Sequence, residues 1–278
     1  MELDNPRQQA KDAIRASVPP TLWEQNRVFA EELKETINNH RLIGHPAGRA
    51  LADGQFTKED LARIHLEYRH AGVKIFTDAL LIAQLLTRQV ETRLGPGSKM
   101  PARFLLTLNV LDEFGFRPGT DEGGYYRGSP DLAHYPLFEK LLDELGVGSE
   151  EREAHTPSPV ADALHHNLEA AYQDLATLTL LLAIAEKQVV LFSPPMRAAT
   201  QAVGIEVEGG YYDFHGTSDE EDWNAYDDDH EDDLWYILMQ SLTPGQYQQV
   251  RAKAHHYLGL WAQFWDEQMK LWKAPMAS

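Results

Sequence analysis

Residues Asp219 to Asp233 form a fifteen-residue stretch holding ten acidic side chains and one histidine, His230. Projected at 100° per residue, Trp223, Asp227, His230, Leu234, Ile237 and Leu238 share one apolar stripe. Asp228, Asp229, Glu231, Asp232 and Asp233 spread over the other faces, where a charge run is expected to meet solvent. Asp227 and His230 therefore point inward, and His215 lies just upstream. An unpaired carboxylate in a core is costly, so a buried Asp–His hydrogen bond is the ordinary reading of that pair alone. A metal ion is the chemically richer one.

Other ligand-type residues sit on apolar faces elsewhere. Glu186 is flanked at helical spacing by Leu182, Ala183, Val189 and Val190. A salt bridge is its ordinary explanation, but the adjacent Lys187 points to another face. Glu113 shares a face with Leu106 and Val110, with Asn109 one turn back and Asp112 about 100° away. That angle makes Asp112 a supporting or solvent-facing acid. His134 has Leu137 and Phe138 on its side. Glu113, His134, Glu186, His215, Asp227 and His230 together make three carboxylates and three histidines, and two carboxylate-bridged metal ions would accommodate them all. His65, Glu67, His70, His255 and His256 lack a spacing that presents them to one metal and read as structural or pocket-lining.

The elements that must position these residues read as helices. Expected segments are Thr21 to Asn39, Lys58 to Gln89, Pro101 to Phe114, a short helix ending at Leu145, Val160 to Phe192, Met196 to Val203, a helix opened by the Ser218/Glu221 capping box and running to Leu242, and a last one ending near Trp272. Ser193-Pro194-Pro195 reads as a stop and Gly115 to Ser129 as a loop. Residues 1–20 read as a polar leader and 21–275 as a single all-α domain of roughly seven to nine helices.

Composition bounds the function. The 278-residue chain is 43% hydrophobic and carries a formal charge of −18, which opposes binding to nucleic acid or to an anionic membrane. With no cysteine, thiolate ligands, disulfides and a cysteine nucleophile are excluded, and a histidine–carboxylate set suits iron or manganese. The apolar stretch around Leu178 to Ala185 reads as too short to span a bilayer, and no signal core precedes it. The expectation is a cytoplasmic protein acting on a small molecule, with a homodimer compatible with it.

The strings NVLDEFGF and HYPLFEKLLDELG resemble the Asn…Asp-Glu-x-Gly…His…Leu-Phe…Leu-Gly signature of haem-oxygenase-like diiron oxidases and oxygenases. HPAGRALADGQFTKEDL resembles that family's opening helix turn. The resemblance implies a haem-oxygenase-like helical bundle and iron ligands at Glu113, His134, Glu186, His215, Asp227 and His230. Where the family usually has His-x-x-x-Asp-x-x-His, Asp227 here follows His215 by twelve, which leaves Asp219 as a competing ligand. The implied cofactor is two Fe(II) ions with O2. The implied reaction is N-oxygenation, hydroxylation, desaturation or C–C cleavage of an amino-acid-like or fatty-acid-like substrate, with the Gly115 to Ser129 loop as an entrance or lid. The alternatives are a non-enzymatic helical binding protein with an acidic partner surface, and a metal-free enzyme of the same fold.

Overall fold

A computed structural model describes residues 5–214 and 224–273, with side chains at 5–213 and 229–272. His215, Asp219 and the Ser218/Glu221 box lie outside the described residues. So do the side chains of Trp223, Tyr226 and Asp227.

The segment read as a leader contains a helix, α1 (Pro6–Ser17), capped by Asn5, whose side chain accepts from the backbone N–H of Arg7 and Gln8. Its buried residues are only Ala10, Lys11 and Ile14, so its docking face is narrow in apolar residues and escapes a periodicity reading. There follow α2 (Pro20–Asn38), α3 (Pro46–Ala52) and α4 (Lys58–Tyr68). Helix α4 opens with a Thr57/Asp60 capping box. The long helix expected to Gln89 is interrupted by a π-helical turn, Arg69–Val73, before α5 (Lys74–Leu86) and α6 (Arg88–Leu94). Such a turn adds one residue to the helical ladder and re-aims the side chains around it.

Helix α7 (Lys99–Glu113) leads into a hairpin rather than an irregular loop. Strands β1 (Phe116–Thr120) and β2 (Tyr126–Gly128) pair antiparallel, Phe116 opposite Gly128 and Arg117 opposite Arg127. Then come α8 (His134–Glu144) and α9 (Ser149–Ala154).

The helix expected from Val160 to Phe192 is two. Helix α10 (Pro159–Glu169) ends, and Asp174 opens α11 (Leu175–Ala202) by accepting from Thr177 N at 2.8 Å. Helix α11 also passes through Pro194 and Pro195, where the sequence suggests a stop. Each proline removes one backbone donor. The packing of α11 against α3, and against α13 (Asn224–Ser241) and α14 (Tyr247–Lys273), holds the helix across them. Between α11 and α13 lies the short α12 (Tyr211–Phe214).

Helix α11 is the axis of the fold, with every residue from Leu175 to Glu186 buried. At 28 residues it is long and apolar enough to cross a membrane, contrary to the expectation from sequence, and 78% of its apolar window is covered by the other helices. Apart from the hairpin, the described elements are helical, the all-α bundle expected from sequence.

Candidate metal centre

The site forms where the last turn of α7 meets the start of α8, the middle of α11 and the first half of α13. Helix α7 ends at Glu113 because Gly115 turns the chain with φ of +78°, and a Cβ there would lie 2.5 Å from Ala133 N and Ser129 O. The hairpin then returns the chain beside its point of departure. Glu113 Oε1 consequently lies 2.9 Å from His134 Nδ1, although 21 residues separate them.

Glu186 sits at the buried centre of α11. Its Oε1 accepts a hydrogen bond from Asn109 Nδ2 at 2.7 Å, and both residues are about 4% exposed. The salt bridge considered from sequence is absent from Lys187, which instead faces Glu231 Oε2 at 3.5 Å. A neutral amide orients the Glu186 carboxylate without cancelling its charge.

Asp112 stands between two of the candidate-ligand histidines, with Oδ2 3.8 Å from His134 Nε2 and 3.8 Å from His230 Nε2. The sequence places Asp112 in a supporting or solvent-facing role, and the fold aims it at the imidazoles. Among the described residues neither ring nitrogen of His230 has a hydrogen-bond partner, although the residue is 3% exposed. A buried imidazole in that condition is costly unless something binds it.

These positions put Glu113, His134, Glu186 and His230 in one region, with Asp112 added. His215 and the side chain of Asp227 fall outside the described residues. No group of three or more His, Asp or Glu completes a metal-holding set among the described residues. The donor types, histidine and carboxylate, suit iron, and the spacing of Asp112 from each imidazole is one that two donors to a shared ion can have. Two donors each about 2.0–2.2 Å from one ion lie at most roughly 4.4 Å apart, and both Asp112–histidine separations fall inside that bound.

A small cavity of about 40 Å³, partly open to solvent, adjoins the cluster. Glu113, His134 and Glu186 line it, and Phe76, Val189 and Trp261 are among its apolar lining residues. Tyr211 also lines it, its ring edge-on to His134 at 6.4 Å between centroids. Tyr68 and Gln188 complete the polar lining, and the sequence reading passed over both. The signal for Gln188 was an amide in the same apolar helix as Glu186.

Three of the five residues set aside from the site, His65, Glu67 and His70, have structural partners. His65 Nδ1–H donates to Leu61 O at 2.6 Å, which leaves Nε2 to accept from Tyr212 OH at 2.6 Å. Burial lowers the His65 imidazole to about 4, and raises the Tyr212 phenol well above its usual 10. Glu67 accepts from the backbone N–H of Ser158, and His155 Nε2 lies 3.2 Å from it. His70 Nε2 lies 3.1 Å from Asp162 Oδ1. His255 and His256 are exposed.

The acidic face of α13 also departs from expectation. Asp233 is 2% exposed and meets Lys11 Nζ at 3.1 Å and Arg7 Nη1 at 3.5 Å. Asp229 and Asp232 meet the same two bases. Burial raises the Asp233 carboxyl against the opposing pull of Arg7 and Lys11. Helix α1 supplies the counter-charge, so this part of the run is an internal seam between helices.

Comparison with known proteins adds three findings. No family model matches the chain. Over 135 residues it is 31% identical to the 4-aminobenzoate synthase of Chlamydia muridarum (strain MoPn / Nigg), a match covering 49% of this chain and 47% of that protein. The chain thus matches about half the length of this curated relative. Among solved structures, a TenA homolog from Pseudomonas syringae pv. tomato str. DC3000 superposes with a TM-score of 0.59 at 15% identity, covering 89% of this chain and 93% of that one. A CADD-like protein of unknown function from Nostoc punctiforme PCC 73102 superposes with a TM-score of 0.51 at 16% identity, covering 91% and 100%.

Proposed function

We propose that this chain, which has the haem-oxygenase-like helical fold of those two structures, is a non-haem diiron enzyme that uses O2 to oxidise a small organic molecule. The observation that carries the reading is the position of Asp112 Oδ2, 3.8 Å from the Nε2 atoms of both His134 and His230, beside Glu113 and a buried Glu186. The motif resemblance and the half-length likeness to a 4-aminobenzoate synthase support it.

Glu113, His134, Glu186 and His230 would hold the metal from described positions, with His215 and Asp227 completing the set and Asp112 joining it. Bound iron would supply O2 activation, since histidine and carboxylate ligation with open positions suits Fe(II). The chain itself does the remainder. Asn109 fixes the rotamer of Glu186 by its 2.7 Å hydrogen bond. When His134 Nδ1 carries its proton, Glu113 accepts it, which leaves the Nε2 lone pair on the side of Asp112. The apolar side chains of Phe76, Val189 and Trp261 would seat the carbon body of the substrate beside the carboxylates.

Anaerobic Fe(II) titration followed by exposure to O2 tests this. The expected result is about two irons per chain and O2 uptake by the loaded protein. A chain that takes up no iron, or whose iron is lost by none of the His134→Ala, Glu186→Ala and His230→Ala changes, is not this enzyme.

A further inference from the structure

Among the polar groups beside the carboxylates that the proposed metal chemistry does not use, Gln188 carries a donor with no hydrogen-bond partner among the described residues. Gln188 is 1% exposed and lines the cavity two residues after Glu186 on α11. Its Oε1 accepts a 2.8 Å hydrogen bond from Tyr68 OH, which fixes the plane of the amide. Its Nε2 has no hydrogen-bond partner among the described residues. Leaving a buried amide donor unused is costly, and this one is held in place by a second buried side chain. Pockets that bind small molecules combine an apolar lining with a few such placed polar groups.

The surrounding charge restricts what Nε2 can meet. No Lys or Arg is among the described lining residues, while Glu113 and Glu186 both are. An anionic head would be repelled by these carboxylates, and the four candidate acids Asp112, Glu113, Glu186 and Asp227 would balance two divalent ions without surplus positive charge. A neutral amide donor in that setting suits an uncharged acceptor. Phe76 and Trp261 supply large apolar surfaces for the remainder of the molecule.

We infer that Gln188 is a specificity-determining residue: its Nε2 donates a hydrogen bond to a hydroxyl or carbonyl oxygen of an uncharged, largely apolar or aromatic substrate lodged between Phe76 and Trp261. Tyr68 is the positioning residue that fixes the amide. This deepens the function proposed above by naming the substrate class, and it rests on that reading only for what happens to the substrate afterwards.

The test is calorimetric binding of four probes to the full chain, metal-free and loaded with Fe(II) under argon. Benzyl alcohol and benzamide carry uncharged acceptors, toluene has none, and benzoate is the anion. Wild type is expected to bind the two uncharged acceptor probes more tightly than toluene or benzoate. Gln188→Leu should weaken them about tenfold, the scale of one buried hydrogen bond, and leave toluene unchanged. Gln188→Glu, which keeps the contact to Tyr68 but loses the donor, should behave like Gln188→Leu. Tyr68→Phe should reduce the ratio of benzamide to toluene affinity while retaining iron, which a merely structural role for Tyr68 would not do. That arm decides the matter if the Gln188 variants do not fold. Benzoate binding more tightly than benzamide, no saturable binding of either acceptor probe, or equal benzamide affinity in wild type and Gln188→Glu overturns the inference. If the Gln188 dependence holds while wild type takes up no iron, the diiron reading fails and the specificity role stands.

Discussion

Asn109 Nδ2 donates a 2.7 Å hydrogen bond to Glu186 Oε1 across the α7–α11 interface, with both side chains withdrawn from solvent. The bond fixes a carboxylate in the centre of the most buried helix without neutralising it. Asn109→Leu removes the donor and leaves the acceptor buried. The expected loss is about 1–3 kcal/mol of stability, read by urea unfolding, and a roughly 10–100-fold fall in iron affinity, read by competition with a coloured chelator. A variant that loses stability yet binds iron normally would show that Glu186 is not a ligand.

Asp112 faces two imidazoles, at 3.8 Å each. Asp112→Ala should therefore weaken iron binding by at least about tenfold, on the scale of losing a ligand or its close support. An unchanged titration would return Asp112 to the solvent-facing role suggested by its place beside Glu113 in the sequence.

The choice between Asp227 and Asp219 is decided by comparing their alanine variants. Iron loading should fall in Asp227→Ala and His230→Ala and persist in Asp219→Ala, measured by metal analysis after desalting. The opposite pattern assigns the aspartate to the His215 end of the segment.

His65 is expected to make stability depend on pH. Its folded value of about 4 lies below the unfolded 6.5 because burial disfavours the charged ring. Between those values the unfolded chain binds the extra proton. The His65 contribution is therefore complete above pH 6.5, declines as pH falls toward 4, and levels off below it. The full span is about 3 kcal/mol. Urea midpoints across that window should flatten in His65→Gln relative to wild type, and parallel curves would show that His65 does not carry the dependence.

Lys11 is 6% exposed and closes on Asp232 and Asp233. Lys11→Met leaves Asp233 with Arg7 alone, at 3.5 Å. A destabilisation of about 1–3 kcal/mol is expected, partly recovered at low pH, where Asp233 protonates. Equal unfolding midpoints for the variant and wild type at neutral pH would mean that α1 is held by its apolar contacts.

What was legible in the sequence, and what was not, follows from the kind of signal each element carries. Thr57 and Thr243 announce helix starts by local chemistry, and in the structure each forms a capping box, with Asp60 and with Gln246. Glu186 was legible because a carboxylate inside an unbroken apolar run has few explanations. The break before Asp174 was not, since Ala170 to Gln173 contains neither glycine nor proline. Pro194-Pro195 signalled the opposite of what happens, because tertiary packing overrides two missing donors. Helix α1 was hidden because ion pairs rather than an apolar stripe dock it. Asp112 and Glu113 are adjacent acids at a helix end, and only the turn at Gly115 and the return to His134 decide what each one meets. Gln188 was passed over because an amide is not a metal ligand, although its buried place on α11 was readable.

The hairpin between Glu113 and His134 leaves and re-enters the bundle at one point. Gly128 passes so close to Gly115 O and Phe116 Cα that a Cβ on it could not be accommodated, and Ser129 N donates back to Gly115 O at 3.2 Å. The pinched neck insulates the two site residues from whatever lies beyond it. The excursion from Phe116 to Gly128 is therefore an exchangeable cassette: its tip, where Tyr125 and Tyr126 are about three-quarters exposed, can lengthen, shorten or change composition without altering the spacing of the chemistry beneath. A motif search that demands a fixed interval between the glutamate and the histidine would overlook relatives that differ from this chain only in that cassette.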